Sequence, residues 1–395
     1  MKSKFYGRLI AVLGLSLMAG GALAQTEAFP QCIQRLQGEA RERGFPDHLV
    51  AVLGEVKPQE RTITYDRNQP EFVQTFAGYY NKRVNDFRID KGRKLLSENR
   101  EFLAELTRRY GVPGQYLVSF WGMESNFGNF IGKIPILDTL ATLACDNRRS
   151  TFFTGELFSA LELMQTYEFE VGDMEGSWAG AIGQTQFIPS VYVRYGIDGD
   201  GDGKVDLWRS EKDALASAAN FLQQLGWTPE LRWGREVHLP DDFPYHHAGI
   251  NNVRPLSEWK QLGVAKADGS PLPNADVKAV LLVPIGADGP KFLAYDNFHV
   301  IMKWNRSQFY ALSVGVLADR INGAGGLRQP LPDTPPLTRD QIVQIQTQLK
   351  ARGFDAGEAD GQLGPQTNSA IRDFQKSQNL QADGFADMEL FQSLN

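Results

Sequence analysis

The residues best suited to chemistry in this chain are a single glutamate and the helical face that carries it. Leu117, Phe120, Trp121 and Glu124 are spaced three, four and seven residues apart, so the carboxylate shares a stripe with large apolar side chains. Burial disfavours the ionised form of a carboxyl group, which raises its pKa and lets it act as a general acid near neutral pH. The alternative is a structural glutamate in an internal ion pair, the commoner reason for a buried acid.

A second segment, about fifty residues later, favours the catalytic interpretation. Residues 176–189 combine closely spaced glycines and alanines with Ser177, Gln184 and Gln186, which are neutral hydrogen-bonding groups. Such a composition suits a groove where the backbone approaches a ligand closely, and uncharged amides beside aromatic rings suit a carbohydrate. A glycine-rich turn between helices would have the same composition, so this segment alone leaves both interpretations open.

An acidic loop follows the second segment. Residues 198–206 match the first nine positions of a calcium loop, with acids at positions 1, 3, 5 and 9 and glycine at position 6. The twelfth position is Arg209, where the loop normally places a bidentate glutamate, and Glu211 falls two residues out of register. The pattern predicts either a weak structural ion or a solvated acidic turn. The candidate ligands are Asp198, Asp200, Asp202, Lys204 and Asp206.

Helical elements must position most of these residues. Periodic apolar positions with few β-branched residues predict helices over four segments: Arg93 to Tyr110, Tyr116 to Phe127, Gly155 to Tyr167 and Asp213 to Leu225. The apolar run from Val277 to Ile285 instead predicts a strand, in a lobe of mixed structure near residues 230–290. The expected fold is therefore mainly α, with a small α+β lobe.

The C-terminal part of the chain has the pattern of a separate domain. Glycine gives way to proline across residues 323–337, which predicts a semi-rigid linker. Thr338 and Gln341 then form a capping-box pattern, and Gly364-Pro365 introduces a further helix. A weak internal repeat relates Ile345-Gln346 and Asp360-Gly361 to Phe374-Gln375 and Asp383-Gly384. Residues 338–395 are expected to form a small domain of three helices.

The N-terminus predicts export. Residues 1–24 have three basic residues, then the apolar run Leu9 to Leu17 and a small-residue site at Ala24, as in a cleaved secretory signal. The first cysteine, Cys32, does not directly follow that site, so no lipid anchor is expected, and no later run is long enough to span a bilayer. Removing the signal leaves 38 positive and 47 negative groups, a net charge of minus 9, which excludes nucleic acid as an expected partner. We expect a free periplasmic protein.

The two cysteines, Cys32 and Cys145, would both lie in an oxidising compartment. An even pair in a secreted chain usually forms a disulfide, and a bond here would tie the N-terminal segment onto the body of the fold. Two buried free thiols are the alternative.

Together the two chemical segments resemble the B-type lytic murein transglycosylases, periplasmic lysozyme-like enzymes that cleave the glycan strands of peptidoglycan. Trp121 to Gly128 is similar to the family's catalytic helix, and Ile136 to Leu143 to the segment that follows it. Further matching segments are Phe153 to Leu157, Gly176 to Pro189, Tyr295 to Phe298 and Trp304 to Ser307. The resemblance extends over most of residues 30–322 and implies a lysozyme-like catalytic region over residues 25–322.

The resemblance also implies roles for individual residues. Glu124 would be the catalytic acid and base. The residues implied to bind substrate are Tyr80, Ser177, Gln184, Gln186, Asn297, Trp304, Asn305 and Tyr310. Tyr79 beside Tyr80 leaves the register there open. Trp304 and Phe221 depart from some family members, which have tyrosines at both places, so tyrosine hydroxyl contacts would be lost there.

A lone carboxyl fits the chemistry that the resemblance implies. Ordinary glycosidases need two carboxyl groups, whereas here the muramyl 6-hydroxyl would replace the second and form a 1,6-anhydromuramyl end without a cofactor. Residues 360–375 similarly resemble a peptidoglycan-binding domain. The expected partners are glycan strands, with other cell-wall enzymes possible. The alternatives are a hydrolytic muramidase and a non-catalytic wall-binding scaffold.

Overall fold

The computed structural model describes residues 27–68 and 74–395, so the expected signal segment lies outside the described residues. The chain is mainly helical, as expected. The helices are α1 (Phe29–Glu42), α2 (Asp47–Val52), α3 (Glu60–Asn68), α4 (Phe76–Arg83), α5 (Asp86–Glu98), α6 (Arg100–Tyr110), α7 (Gly114–Ser125), α8 (Ile136–Ala144), α9 (Ser150–Tyr167), α10 (Pro189–Tyr195), α11 (Glu211–Gln224), α12 (Leu256–Gln261), α13 (Asp296–Trp304), α14 (Gln308–Ile321), α15 (Arg339–Ala351), α16 (Pro365–Ser377) and α17 (Met388–Ser393). None of the described helices is long and apolar enough to cross a membrane.

Two antiparallel sheets accompany the helices. The strands are β1 (Ile134–Pro135), β2 (Glu175–Gly176), β3 (Gly234–His238), β4 (Arg254–Pro255), β5 (Ala265–Lys266), β6 (Lys278–Leu282) and β7 (Lys291–Ala294). Strands β1 and β2 form a short ribbon, and the other five form one sheet in the order β4-β6-β7-β3-β5. The predicted mixed lobe near residues 230–290 is thus confirmed, and β6 is the strand expected there.

The apolar run in β6 is explained by burial on both faces of the sheet. Val280 and Leu282 belong to the main helical core, whereas Ala279 and Leu281 belong to the separate core of the lobe. Because successive side chains of a strand point to opposite faces, a strand between two cores must be apolar at every position. The sheet therefore fixes the lobe against the helical body.

Helix α7 lies at the centre of the helical body. Ten of its twelve residues are buried, and it packs against α5, α6, α11 and α14. Ser119 donates a hydrogen bond to the Val314 carbonyl at 2.7 Å, which fixes α7 against α14. The expected single helix from Arg93 to Tyr110 is wrong, because Asn99 has a non-helical backbone and separates α5 from α6.

A disulfide joins Cys32 in α1 to Cys145 at the end of α8, as expected from the cysteine pair. It links residues 113 positions apart and attaches the first helix to a second apolar core, which includes α8 and α9. The N-terminal helix is thereby held to the body of the fold.

The C-terminal domain consists of α15, α16 and α17 around a core of its own. The weak repeat has a structural basis. The amide of Gln346 donates to Asp360 and accepts from the Gly361 N–H, and Gln375 makes the same two bonds to Asp383 and Gly384. Each helical glutamine thus holds one Asp-Gly turn. The predicted capping box between Thr338 and Gln341 is also present.

The predicted linker and the C-terminal domain both contact the preceding part of the chain. The Glu236 carboxylate accepts hydrogen bonds from the backbone N–H groups of Arg328 and Gln329 at 2.9 to 3.1 Å. Beyond the linker, the Asp383 carboxylate accepts from the Ala287 N–H at 2.8 Å, and Phe385 packs on the main core. These contacts hold both segments against the preceding part of the chain.

Candidate active site

The end of α7 presents Glu124 at a bend of the chain. The helix ends at Ser125, and the next two residues, Asn126 and Phe127, have left-handed backbones, with φ of 51° and 59°. Such values are uncommon for residues other than glycine and occur where the surrounding structure enforces them. Here the Phe127 N–H donates to the Trp121 carbonyl, and the Phe130 N–H donates to the Ser125 carbonyl. The turn closes tightly just after the acid.

Gln184 connects the second sequence segment to α7. Its side-chain oxygen accepts from the Trp121 indole N–H at 2.9 Å, and its backbone oxygen accepts from the Ser125 hydroxyl at 2.6 Å. Its side-chain nitrogen donates to the Trp208 carbonyl. Both ends of the amide are hydrogen-bonded within the protein, and only 6% of the residue is exposed. Gln184 therefore holds the end of α7 in position. The described bonds of Gln184 are internal, and its expected contact with substrate stays a prediction.

The glycines of the second segment serve internal packing as well. A Cβ on Gly176 would lie 2.2 Å from the Ala181 carbonyl oxygen, and a Cβ on Gly183 would lie 2.4 Å from the Leu207 oxygen. Gly183 also has a positive φ of 67°, which favours glycine. At these two positions the close backbone approach is to the protein's own chain, whereas the sequence suggested an approach to a ligand.

Glu124 is held through one of its two oxygens. The Trp304 indole N–H donates to Oε1 at 2.9 Å, and the Tyr310 hydroxyl donates to the same atom. The two donors come from the end of α13 and the first turn of α14. Two helices that are distant from α7 in the sequence thus bring their donors to one carboxylate.

Burial raises the pKa of Glu124 to about 7, against an ordinary value of 4.5. The hydrogen bonds from Tyr310 and Trp304 and the positive charge of Arg83 act in the opposite direction, but they do not cancel the loss of solvation. Burial and the neighbouring Glu124 charge also raise the pKa of Tyr310, so its hydroxyl remains a donor. A carboxyl with such a pKa can both give and take a proton near neutral pH.

Helix α4 carries the two tyrosines between which the sequence left the register open. Tyr80 packs against Phe76 and lies beside Arg320 and Glu236, and burial raises its pKa to about 12. Tyr79 lies instead close enough to Tyr310 to influence its pKa, and the Arg83 guanidinium covers the Tyr79 ring at 5.1 Å. The site therefore takes Tyr79 and Arg83 from this helix. Their spacing of four residues on one helix face is the signal that the sequence offered.

Asn297, another of the residues expected to bind substrate, lies inside the fold. It is fully buried, its side-chain oxygen accepts from the Thr228 N–H, and its nitrogen donates to the carbonyls of Thr228 and Leu231. All these bonds are internal, so Asn297 fixes the loop before β3. Both N–H donors of the amide are used, and the buried side chain does not reach the surface.

The remaining expected residues lie in or beside the second segment and at the start of α14. The Ser177 hydroxyl accepts from the backbone N–H groups of Ala179 and Ala181, so it shapes the turn. Gln186 is partly exposed, with φ of 50°, and its nitrogen donates to the carbonyls of Ile131 and Gly183. Asn305 is exposed and retains its side-chain nitrogen for an external partner.

The acidic loop lies apart from these contacts. Three carboxylates, from Asp198, Asp200 and Asp202, have ligand atoms within 4.8 Å of one another. Asp206 is instead paired with Arg209 at 3.1 Å, and Arg209 also binds Asp173. The sequence reasoning missed Asp213, which is buried and accepts from the Gly199 and Asp206 N–H groups. Asp213 therefore closes the loop from inside.

Comparisons with known proteins find relatives of both parts of the chain. The model of the transglycosylase SLT domain family matches residues 28–319, and that of a peptidoglycan binding domain matches residues 338–394. Membrane-bound lytic murein transglycosylase B of Escherichia coli is 29% identical over 321 residues, which cover 77% of this chain and 85% of the relative.

Solved structures extend the similarity to the three-dimensional arrangement. SltB3 from Pseudomonas aeruginosa, in complex with NAG-anhNAM-pentapeptide, is 39% identical and has a TM-score of 0.88, covering 93% of this chain and 99% of that one. Escherichia coli lytic transglycosylase Slt35, in complex with calcium, is 27% identical with a TM-score of 0.64, covering 74% and 92%. The family match spans well over half of the chain, and the chain therefore belongs to the transglycosylase SLT domain family.

Proposed function

We propose that the protein is a lytic transglycosylase that cleaves the β-1,4 bond between N-acetylmuramic acid and N-acetylglucosamine in peptidoglycan. The observation that carries the proposal is Glu124, whose Oε1 is fixed by two donors and whose pKa is raised to about 7. No acid among residues 27–68 and 74–395 contributes to that pKa shift. A lone acid of this kind suits a reaction in which the substrate supplies its own nucleophile.

The reaction proceeds by two proton transfers through one carboxyl group. Glu124 gives its proton to the bridging oxygen, and the bond from that oxygen to the anomeric carbon of the muramyl residue breaks. The Glu124 carboxylate then takes the proton of the muramyl 6-hydroxyl, whose oxygen forms the new bond to the anomeric carbon. Glu124 returns to its starting state, and the product is a 1,6-anhydromuramyl end with no water consumed.

Two further considerations support this reaction over simple wall binding. The relative SltB3 was solved with a ligand that contains an anhydro sugar, the type of product proposed here. The acid of a non-catalytic scaffold would have no need of a desolvated position, which costs stability when the group ionises. Catalysis offers a reason for keeping Glu124 in that position.

Digestion of purified sacculi tests the proposal. Wild-type protein should release muropeptides that are lighter by one water than the hydrolysed products and that resist borohydride reduction. Glu124→Gln should release none, because Gln cannot transfer a proton. Glu162→Gln, an exposed position on α9, is the matched control and should behave like wild type. Reducible ends of full mass would indicate a hydrolytic muramidase, and sacculus binding without release by wild type would indicate a scaffold.

The C-terminal domain, residues 338–395, is proposed to bind peptidoglycan and to keep the catalytic region near its insoluble substrate. Tethering raises the effective concentration of a second site without new contacts. The catalytic region is proposed to span residues 25–322. Export to the periplasm by cleavage after Ala24 completes the proposal, and the mass of the mature protein from an exporting host tests that cleavage.

The acidic loop is proposed to bind one structural calcium ion weakly. Asp198, Asp200 and Asp202 would supply carboxylates and Lys204 its backbone carbonyl. Arg209 takes the sequence position of the usual bidentate glutamate and forms an ion pair with Asp206. Both features weaken calcium binding, which supports a dissociation constant of roughly millimolar. Calorimetric titration with calcium should detect this binding in wild type and lose it in Asp200→Asn. Equal heats in the two proteins would contradict the proposal.

A further inference from the structure

Trp304 contacts the catalytic acid in a way that its expected role, a surface for sugar binding, does not explain. Its indole N–H donates to Glu124 Oε1 at 2.9 Å. Its ring packs among Phe120, Phe187 and Phe221, with centroids 4.5, 5.3 and 5.2 Å away. Three aromatic neighbours therefore fix the plane of the indole and the direction of its N–H bond.

The two hydrogen bonds to Oε1 distinguish the two oxygens of Glu124. A carboxylate oxygen has two favourable acceptor positions, and the Trp304 and Tyr310 donors fill both on Oε1. Oε2 is then the atom that exchanges the proton with the substrate. Without one of the donors, the carboxyl group can rotate, and the proton can reside on either oxygen.

We propose that Trp304 is a positioning residue, which holds Oε1 of Glu124 so that Oε2 faces the reacting oxygens. This inference rests on the proposed function of Glu124. It also explains the departure at Trp304 noted in the sequence. An indole N–H can only donate, whereas a tyrosine hydroxyl can also accept from a protonated acid. Phe221, which departs as well, supplies an apolar ring against the indole.

The groups that face Glu124 determine the pH behaviour expected of variants. Tyr310 approaches from α14, Trp304 from the end of α13, and Arg83 from α4. Tyr79 influences Tyr310. Arg83 carries the one formal positive charge that acts on the acid among the described residues. The Trp304 hydrogen bond lowers the pKa of Glu124, against the effect of burial. Removing this donor should therefore raise the pKa of Glu124.

Trp304→Phe tests the inference, because it keeps an aromatic ring and removes the donor. We expect kcat for release of anhydromuropeptides to fall about 10-fold to 100-fold, the range for a hydrogen bond to a charged group. KM should change little, and the alkaline limb of the kcat profile should move to higher pH. The control is Trp259→Phe, which loses the indole bond to Ala279 in the mixed lobe and should retain wild-type kcat and pH profile.

Unchanged kcat in Trp304→Phe, or a loss confined to KM, would overturn the inference, and the second result would return Trp304 to sugar binding. Should that variant fail to fold, the pair Trp304→Tyr and Phe221→Tyr replaces it. The double variant should have a higher kcat than Trp304→Tyr alone, because the second tyrosine supplies a donor beside the shorter side chain at position 304. Equal kcat values in the two proteins would count against positioning. Failure of the proposed function differs from both, because wild type itself would then produce no anhydro ends.

Discussion

Replacing Glu124, the proposed catalytic acid, should stabilise the protein above neutral pH. Burial raises the pKa of Glu124 from 4.5 to about 7, so the folded state resists ionisation of this group. Each pKa unit corresponds to about 1.4 kcal/mol, which gives an upper limit of about 3.5 kcal/mol for the penalty. Because Glu124 is partly exposed and solvent screens part of this effect, we expect Glu124→Gln to gain about 2 kcal/mol at pH 8.5.

The pH dependence gives this prediction its direction. Below pH 4.5 the group is protonated in both the folded and the unfolded chain, so it has no differential effect on stability. Between pH 4.5 and about 7 the unfolded chain releases a proton that the folded protein retains, and stability falls as pH rises. Above about pH 7 both states are ionised and the full penalty persists. The gain in Glu124→Gln should therefore appear only as pH rises through this window.

Differential scanning fluorimetry from pH 4 to pH 8.5 measures the effect. A gain of about 2 kcal/mol corresponds to roughly 4 °C in the melting temperature of a region this size, and the difference should vanish near pH 4. Glu162→Gln, on the exposed face of α9, is the control and should show no such trend. A Glu124→Gln protein that melts below wild type at pH 8.5, or whose gain is the same at every pH, would refute the reasoning.

Three further predictions concern activity and the connections between parts of the fold. The kcat/KM for glycan cleavage should fall about tenfold per pH unit above pH 7, because Glu124 must begin protonated; a profile flat to pH 9 would contradict this. Removing the disulfide through Cys32→Ala and Cys145→Ala should lower the free energy of unfolding by about 4 to 5 kcal/mol, because the unfolded chain regains the entropy of the loop. The melting temperature should fall below that of wild type, and an unchanged value would contradict the prediction. Glu236→Ala should release the linker and speed its cleavage by a nonspecific protease, with Glu258→Ala as the control; equal cleavage rates would show that the carboxylate does not hold the linker.

Local patterns predicted much of the fold. The capping box of α15, the apolar run of β6 and the helical stripe of α7 depend on neighbouring residues, and all three are present. The break at Asn99 was missed because the apolar periodicity continues through it, whereas the backbone does not. The weak repeat related the two Asp-Gly pairs without explaining them; the glutamine bonds that hold them as turns involve residues up to fifteen positions apart.

The site was less predictable because its residues converge from distant parts of the chain. The stripe of α7 indicated Glu124, but its partners Trp304 and Tyr310 lie 180 and 186 residues away. Residue type alone also could not separate binding amides from structural ones. Gln184 and Asn297 have the same chemistry as Gln186 and Asn305, and only burial and bonding partners distinguish the two pairs.

Cleavage in water labelled with heavy oxygen tests the central claim most directly. If the muramyl 6-hydroxyl is the nucleophile, wild-type protein acting on sacculi should give muramyl ends that contain no label, as read by mass spectrometry of the fragments. Heavy oxygen at the anomeric carbon of the new ends would contradict the account, because it would identify water as the nucleophile and Glu124 as the acid of a hydrolase.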